Sequence, residues 1–135
     1  MIKVKSFLPK VAMLLHRGVS LWAWLFYSYK YIDRMKRKEA YKKQIGNYGL
    51  ITMCYLVTYY EDLELYEECS VILEAIKEFC EANNIAKYPT RYTKSAIKWF
   101  VDSLTEYNLL PSSNIDFNIK NYAMEVIKFV EKECN

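Results

Sequence analysis

Arg34, Lys36, Arg37, Lys38, Lys42 and Lys43, with Lys30 a turn earlier, form the densest run of chemistry-bearing side chains in the sequence. A cationic cluster of this kind contacts phosphates, and such binding weakens steeply as salt rises. Tyr27, Tyr31 and Tyr41 are interleaved with the cations and would stack on bases if they reach solvent. The simpler reading of the same run is a solvated helix face. A second constellation is acidic: Glu61, Asp62, Glu64, Glu67 and Glu68 fall within eight residues. They lack the ligand spacing and central glycine of a calcium loop. Negative charge at the start of a helix is favoured by the helix dipole, and an acidic surface that docks a basic partner is the functional alternative.

Catalytic patterns are not evident. His16 is the one histidine and stands between Leu15 and Arg17, so neither a triad nor a Cys–His pair can be assembled around a predictable partner. Three glycines, at 18, 46 and 49, cannot form a phosphate-cradling loop, and no dinucleotide, P-loop or zinc-protease motif occurs. No cofactor and no metal site is expected. Cys54, Cys69, Cys80 and Cys134 include no C-x-x-C pair, and the first three fall on apolar helix faces. They read as small buried hydrophobes of a reducing, cytoplasmic compartment.

The elements that must position these residues are helical. Hydrophobic residues make up 53% of the 135-residue chain, enough for one packed domain. Glycine and proline are scarce, which favours helices joined by short loops over sheets. Charge is divided along the chain. Residues 1–45 carry eleven Lys and Arg against Asp33 and Glu39, a net of +9. Residues 46–135 carry eight against fourteen acids, a net of −6. The split implies an anionic partner for the front, a basic partner for the back, or two parts that neutralise each other inside one fold.

Pro9 suits the first position of a short helix over 9–17. Its apolar run is too short for a secretory signal. From Gly18 to Gln44 the pattern predicts one long helix, aromatic over Leu21–Ile32 and cationic afterwards, with Ser20 as cap. Its uncharged run of 12 residues is shorter than the ~20 that span a bilayer. A helix apolar on every side needs cover. A buried core helix, with Trp22 and Trp24 near the centre, is the expectation, and a membrane surface or a partner is the alternative. Gly46 and Asn47 predict a break. Leu50, Met53, Cys54 and Val57 then mark a helix to about Tyr60, and Cys69, Ile72, Leu73, Ile76, Phe79 and Cys80 a second one stopping at Asn83. The short link between them predicts an antiparallel hairpin. Pro89 marks a linker, Thr90 or Thr93 caps a helix through Ile97, Phe100 and Leu104, Pro111–Asn114 is a loop, and Asp116 caps a last helix.

Asp62-Leu63-Glu64-Leu65-Tyr66-Glu67-Glu68-Cys69-Ser70-Val71-Ile72-Leu73-Glu74-Ala75-Ile76 resembles the UVR motif, with Leu65 as an inserted residue and Leu73-Glu74 where that motif has Arg-Asp. The motif is a helical hairpin used for protein contacts in nucleotide-excision repair subunits and Clp-type adaptors. The resemblance implies interaction rather than catalysis.

The expectation is a compact all-α bundle of five or six helices around a central antiparallel hairpin. Residues 1–135 would form a single domain, with basic aromatic helices over 9–45 and an acidic helical part over 46–135. The expected function is a non-enzymatic protein-interaction module. Small size, polarised charge and AT-rich residue usage suit a phage or mobile-element protein that modulates or inhibits a host machine, such as an anti-CRISPR-type inhibitor in the host cytoplasm. The partner would be a protein, including one within a ribonucleoprotein or nucleic-acid-handling complex. Two alternatives remain: a nucleic-acid-binding accessory protein using the helix 30–43, and a peripheral protein of the membrane surface.

Overall fold

The computed structural model describes residues 21–106 and 115–134. The expected helix 9–17, the Gly18 break, the Ser20 cap, His16 and the loop 111–114 lie outside the described residues. Five helices and no strand occur among the described ones: α1 Leu21–Tyr48, α2 Leu50–Asp62, α3 Tyr66–Ala82, α4 Lys94–Glu106 and α5 Ile115–Cys134. The fold is an all-α bundle. None of these helices is long and apolar enough to cross a membrane.

The long helix does not stop at Gly46. It runs on through Asn47 to Tyr48, and the chain reverses at Gly49 instead. Gly49 has φ 87° and ψ 166°, a conformation essentially restricted to glycine, and its N–H bonds the Ile45 carbonyl at 2.8 Å. Asn47 therefore lies inside α1 and caps nothing. The α2–α3 link is a three-residue turn. Glu64 sits in the left-handed region at φ 60°, and the Leu65 N–H reaches back to the Tyr60 carbonyl at 2.9 Å. That six-to-one bond closes the end of α2 as a Schellman motif does. Asn84 ends α3 the same way, at φ 59° with the Ile85 N–H on the Cys80 carbonyl. Thr93 receives the Ala96 N–H and starts α4. Asp116 is already within α5, which begins at Ile115.

Helix α2 touches every other described helix, while α1 and α5 both also pack on the α2–α3 pair or its members. The core lies between them: Tyr41 and Ile45 of α1, Met53, Leu56 and Val57 of α2, Ile72 and Ile76 of α3, Phe100 of α4, and Val126 and Val130 of α5. These positions follow the i, i+3, i+4 spacing of their helices, which is why the stripes align inward. Cys54, Cys69 and Cys80 are free and buried in this core, and Cys134 is half-buried. Burial pushes the Cys54 thiol up to about 12 and the Cys69 and Cys80 thiols up to about 11.

The aromatic start of α1 departs from the expected core placement. Among the described residues none before Met35 is buried, and Trp22 is 81% exposed, with Trp24 only half-buried. The reason is length. At 1.5 Å per residue α1 is about 42 Å long, against about 20 Å for α2 and about 26 Å for α3. Helix α2 turns back from Gly49 and ends beside the middle of α1. Helix α3 runs parallel to α1 and begins near Lys30 and Arg34, and α5 runs antiparallel, with Tyr122 on Tyr48 at 5.4 Å and Cys134 near Arg37 and Asp33. Residues 21–29 thus overhang the described bundle.

Candidate interaction surface

The basic block divides into two faces of α1. One face is occupied by α3. The Arg34 guanidinium reaches Glu67, and at 3.0 Å both Glu74 and the Ser70 hydroxyl. Arg37 grips both carboxylate oxygens of Glu68. Lys38, buried to 3% exposure, lies 2.6 Å from Glu78, and Lys42 reaches the same carboxylate at 3.2 Å and Glu39 at 3.7 Å. These residues are turned inward because α3 presents a matching acidic edge at 67, 68, 74 and 78. The hydrogen bond to Glu68 holds the Arg37 guanidinium above its ordinary range. Burial pushes the Glu78 carboxyl up, yet hydrogen bonds from Lys38 and Lys42 outweigh it and leave the group below the usual carboxylate range.

Lys36 and Lys43 lie away from α3, both exposed and without an ion pair among the described residues, and Lys30, near the start of α3, has its ammonium 4.7 Å from the Phe26 ring centroid. Of the seven cations singled out in the sequence, four are therefore engaged with carboxylates of the same chain and three point to solvent. Tyr41 is fully buried, and Tyr27 and Tyr31 are half-buried, so none of these three presents an open stacking face.

The acidic cluster is dispersed in the same way. Glu67 and Glu68 bind the arginines of α1, and Asp62 pairs with Lys94 at 2.8 Å. Glu61 is half-buried, and Glu64 is exposed at the left-handed turn position. No group of three or more potential metal ligands gathers among the described residues.

What the sequence did not reveal is an apolar end of the molecule. Leu21, Trp22, Leu25, Phe26 and Tyr29 are exposed along the overhang of α1, at 64%, 81%, 43%, 60% and 72%. Tyr59, Leu63, Leu65 and Tyr66 are exposed around the α2–α3 turn, and Tyr92 stacks on Tyr66 at 5.3 Å between ring centroids. A depression of about 720 Å³ lies beside the turn set, with Lys30, Asp33, Arg34 and Arg37 on one wall, Glu64, Leu65, Tyr66, Glu67 and Glu68 on the other, and Val71 as a further lining residue. The aromatic run was visible in the sequence; its exposure was not, because that depends on where the neighbouring helices end.

Comparison with protein-family models, curated proteins and solved structures finds no significant match.

Proposed function

We propose that this chain is a non-enzymatic protein-interaction module that docks a partner on the apolar end formed by the α1 overhang and the α2–α3 turn. One observation carries the reading: Leu21, Trp22, Leu25, Phe26 and Tyr29 stand exposed along the start of α1, while most of the basic and acidic blocks neutralise each other between α1 and α3. Exposed contiguous apolar surface of this kind marks interaction sites, and Trp and Tyr are the residues that dominate protein interfaces. The mixed charge of the rim, Lys30 beside Asp33, Glu64 and Asp62, suits a protein partner. Exposed carboxylates at the same end work against an anionic lipid surface, and the internal pairing of Arg34, Arg37, Lys38 and Lys42 leaves few cations for a phosphate backbone.

Small size, a single histidine and AT-rich usage suit a phage or mobile-element protein that modulates a host machine in the host cytoplasm, anti-CRISPR-type inhibition being one example. The test is a tagged pull-down from host lysate, washed at low and high salt, with the wild type beside a Trp22→Ala/Phe26→Ala variant. A stoichiometric protein retained at high salt by the wild type and lost by the variant supports the reading. Nucleic acid that washes off with salt, or vesicle binding in place of a protein, overturns it.

A further inference from the structure

We propose that the cavity shared by α3, the segment 89–93 and Arg34 binds a small phosphomonoester of nucleotide size, its phosphate held by Lys77 and Arg91 and its base beside Tyr92. The inference goes beyond the interaction-module reading and does not depend on it.

Ser70, Leu73, Glu74 and Lys77 stand at i, i+3, i+4 and i+7 of α3 and so form one stripe along that helix. The segment 89–93, anchored by the buried Pro89, lines the same cavity, and Arg34 of α1 completes it. Its volume is about 660 Å³, within the roughly 300–1,000 Å³ of small-ligand sites. Leu73, Pro89 and the Tyr92 ring supply the apolar lining, and Tyr92 is itself held by its stack on Tyr66.

Donors are in excess around this cavity. Three of the lining residues are cationic and one, Glu74, is acidic. Glu74 is half-buried and already accepts from Arg34 at 3.0 Å, and Arg34 is shared with Glu67. Lys77 and Arg91 are exposed and make no ion pair among the described residues. Glu81, one turn beyond Lys77, does not line the cavity and accepts the Tyr88 hydroxyl at 2.9 Å. The Ser70 hydroxyl accepts from Arg34 at 3.0 Å and keeps its own proton to donate. Thr93 lines the cavity and caps α4, so the positive end of that helix adds to the field. Two unpaired cations beside hydroxyl donors, with the lining carboxylate engaged, suit a ligand group that only accepts and carries two charges. A phosphomonoester is such a group. Arg91 offers a fork for two of its oxygens and Lys77 a point charge. Inorganic phosphate alone would leave most of the volume empty, whereas a planar base fills it and stacks on an aromatic ring such as Tyr92.

The experiment is calorimetric titration of the full chain with adenosine monophosphate, adenosine and inorganic phosphate. It is repeated on Lys77→Gln/Arg91→Gln, on Tyr92→Ala and, as a charge control, on Lys36→Gln/Lys43→Gln. Lys77 and Arg91 are exposed, so the thermal unfolding of their double variant should match the wild type. The expected result is saturable binding of adenosine monophosphate, weaker binding of phosphate and none of adenosine at the same concentrations. Lys77→Gln/Arg91→Gln should weaken the nucleotide at least about tenfold, the effect of losing charge-assisted hydrogen bonds. Tyr92→Ala should weaken the nucleotide and leave phosphate unchanged, and the control pair should leave both unchanged. No binding of either phosphate compound at millimolar concentration overturns the inference. Equal losses in the cavity and control variants overturn it as well, because they mark unspecific charge attraction. Nucleotide and phosphate bound alike, with Tyr92→Ala silent, overturn the nucleotide assignment and leave a bare anion site. None of these results bears on the interaction-module reading, which capture by the Trp22→Ala/Phe26→Ala variant tests separately.

Discussion

Lys38 Nζ lies 2.6 Å from a Glu78 oxygen, on the face of α1 that Lys36, two residues earlier, turns away from. Two residues rotate a helix by about 200°, so adjacent lysines of one basic block meet opposite fates. Lys38 is a buried structural ion and Lys36 a solvated one. This division makes α1 the spine that holds α3 on one side, while Lys36 on the other side faces solvent.

Removing one member of the buried pair should not be symmetric. Glu78→Gln leaves Lys38 buried without a carboxylate and should cost about 3 kcal/mol. Lys38→Met keeps the volume and leaves Glu78 its second partner, Lys42, at 3.2 Å, so its cost should stay near about 1 kcal/mol. Urea midpoints at neutral pH measure both, and equal losses would show that Lys42 does not substitute.

Stability should fall on the acid side through Glu78. Its folded-state carboxyl is held below the ordinary value of 4.5 by Lys38 and Lys42. A depressed folded pKa contributes stability above the unfolded pKa and loses it as pH drops through the folded one. The wild type should therefore lose stability below about pH 4.5, and Glu78→Gln should lose less over the same range. Parallel urea titrations of the two proteins at successive pH values check the sign.

The glycines give opposite outcomes. Gly46 lies within α1, exposed, and an added methyl meets nothing within 4 Å. Gly46→Ala should stabilise by up to about 1 kcal/mol. Gly49 also has open space around it, but its φ of 87° strains any L side chain. Gly49→Ala should destabilise by about 1–3 kcal/mol. Thermal unfolding distinguishes them, and the reverse ranking would place the chain reversal at Gly46.

Helix α4 is anchored on α2 through Ile97, Phe100 and Leu104, all buried. Phe100→Ala should cost about 3–5 kcal/mol. Amide exchange should rise first in α4, because α4 packs on one described helix where α1, α3 and α5 pack on at least two.

Trp22 should matter little to folding. With 81% of its surface exposed, Trp22→Ala should change stability by no more than about 0.5 kcal/mol, against about 2–5 kcal/mol for Leu56→Ala in the core. A large loss for Trp22→Ala would mean that the overhang is packed.

The helical class, the α2–α3 hairpin and most core residues were legible in the sequence. A stripe such as Leu50, Met53, Cys54, Val57 states which side of its own helix turns inward, since local periodicity and burial share one geometry. The boundary at Gly49 was misplaced to Gly46 because a glycine signals permission for a turn, and only packing selects which glycine uses it. The charge split was legible as well, including the option that the two parts neutralise each other. Sequence could not assign individual ions to that role. Arg34, Arg37, Lys38 and Lys42 are engaged because α3 lies parallel to α1 with Glu67, Glu68, Glu74 and Glu78 in register, a relation between segments more than thirty residues apart. Exposure of Trp22, Phe26 and Tyr29 was likewise decided by tertiary structure. Residue type sets the cost of leaving an aromatic in water, but where α2, α3 and α5 end determines whether anything stands beside it.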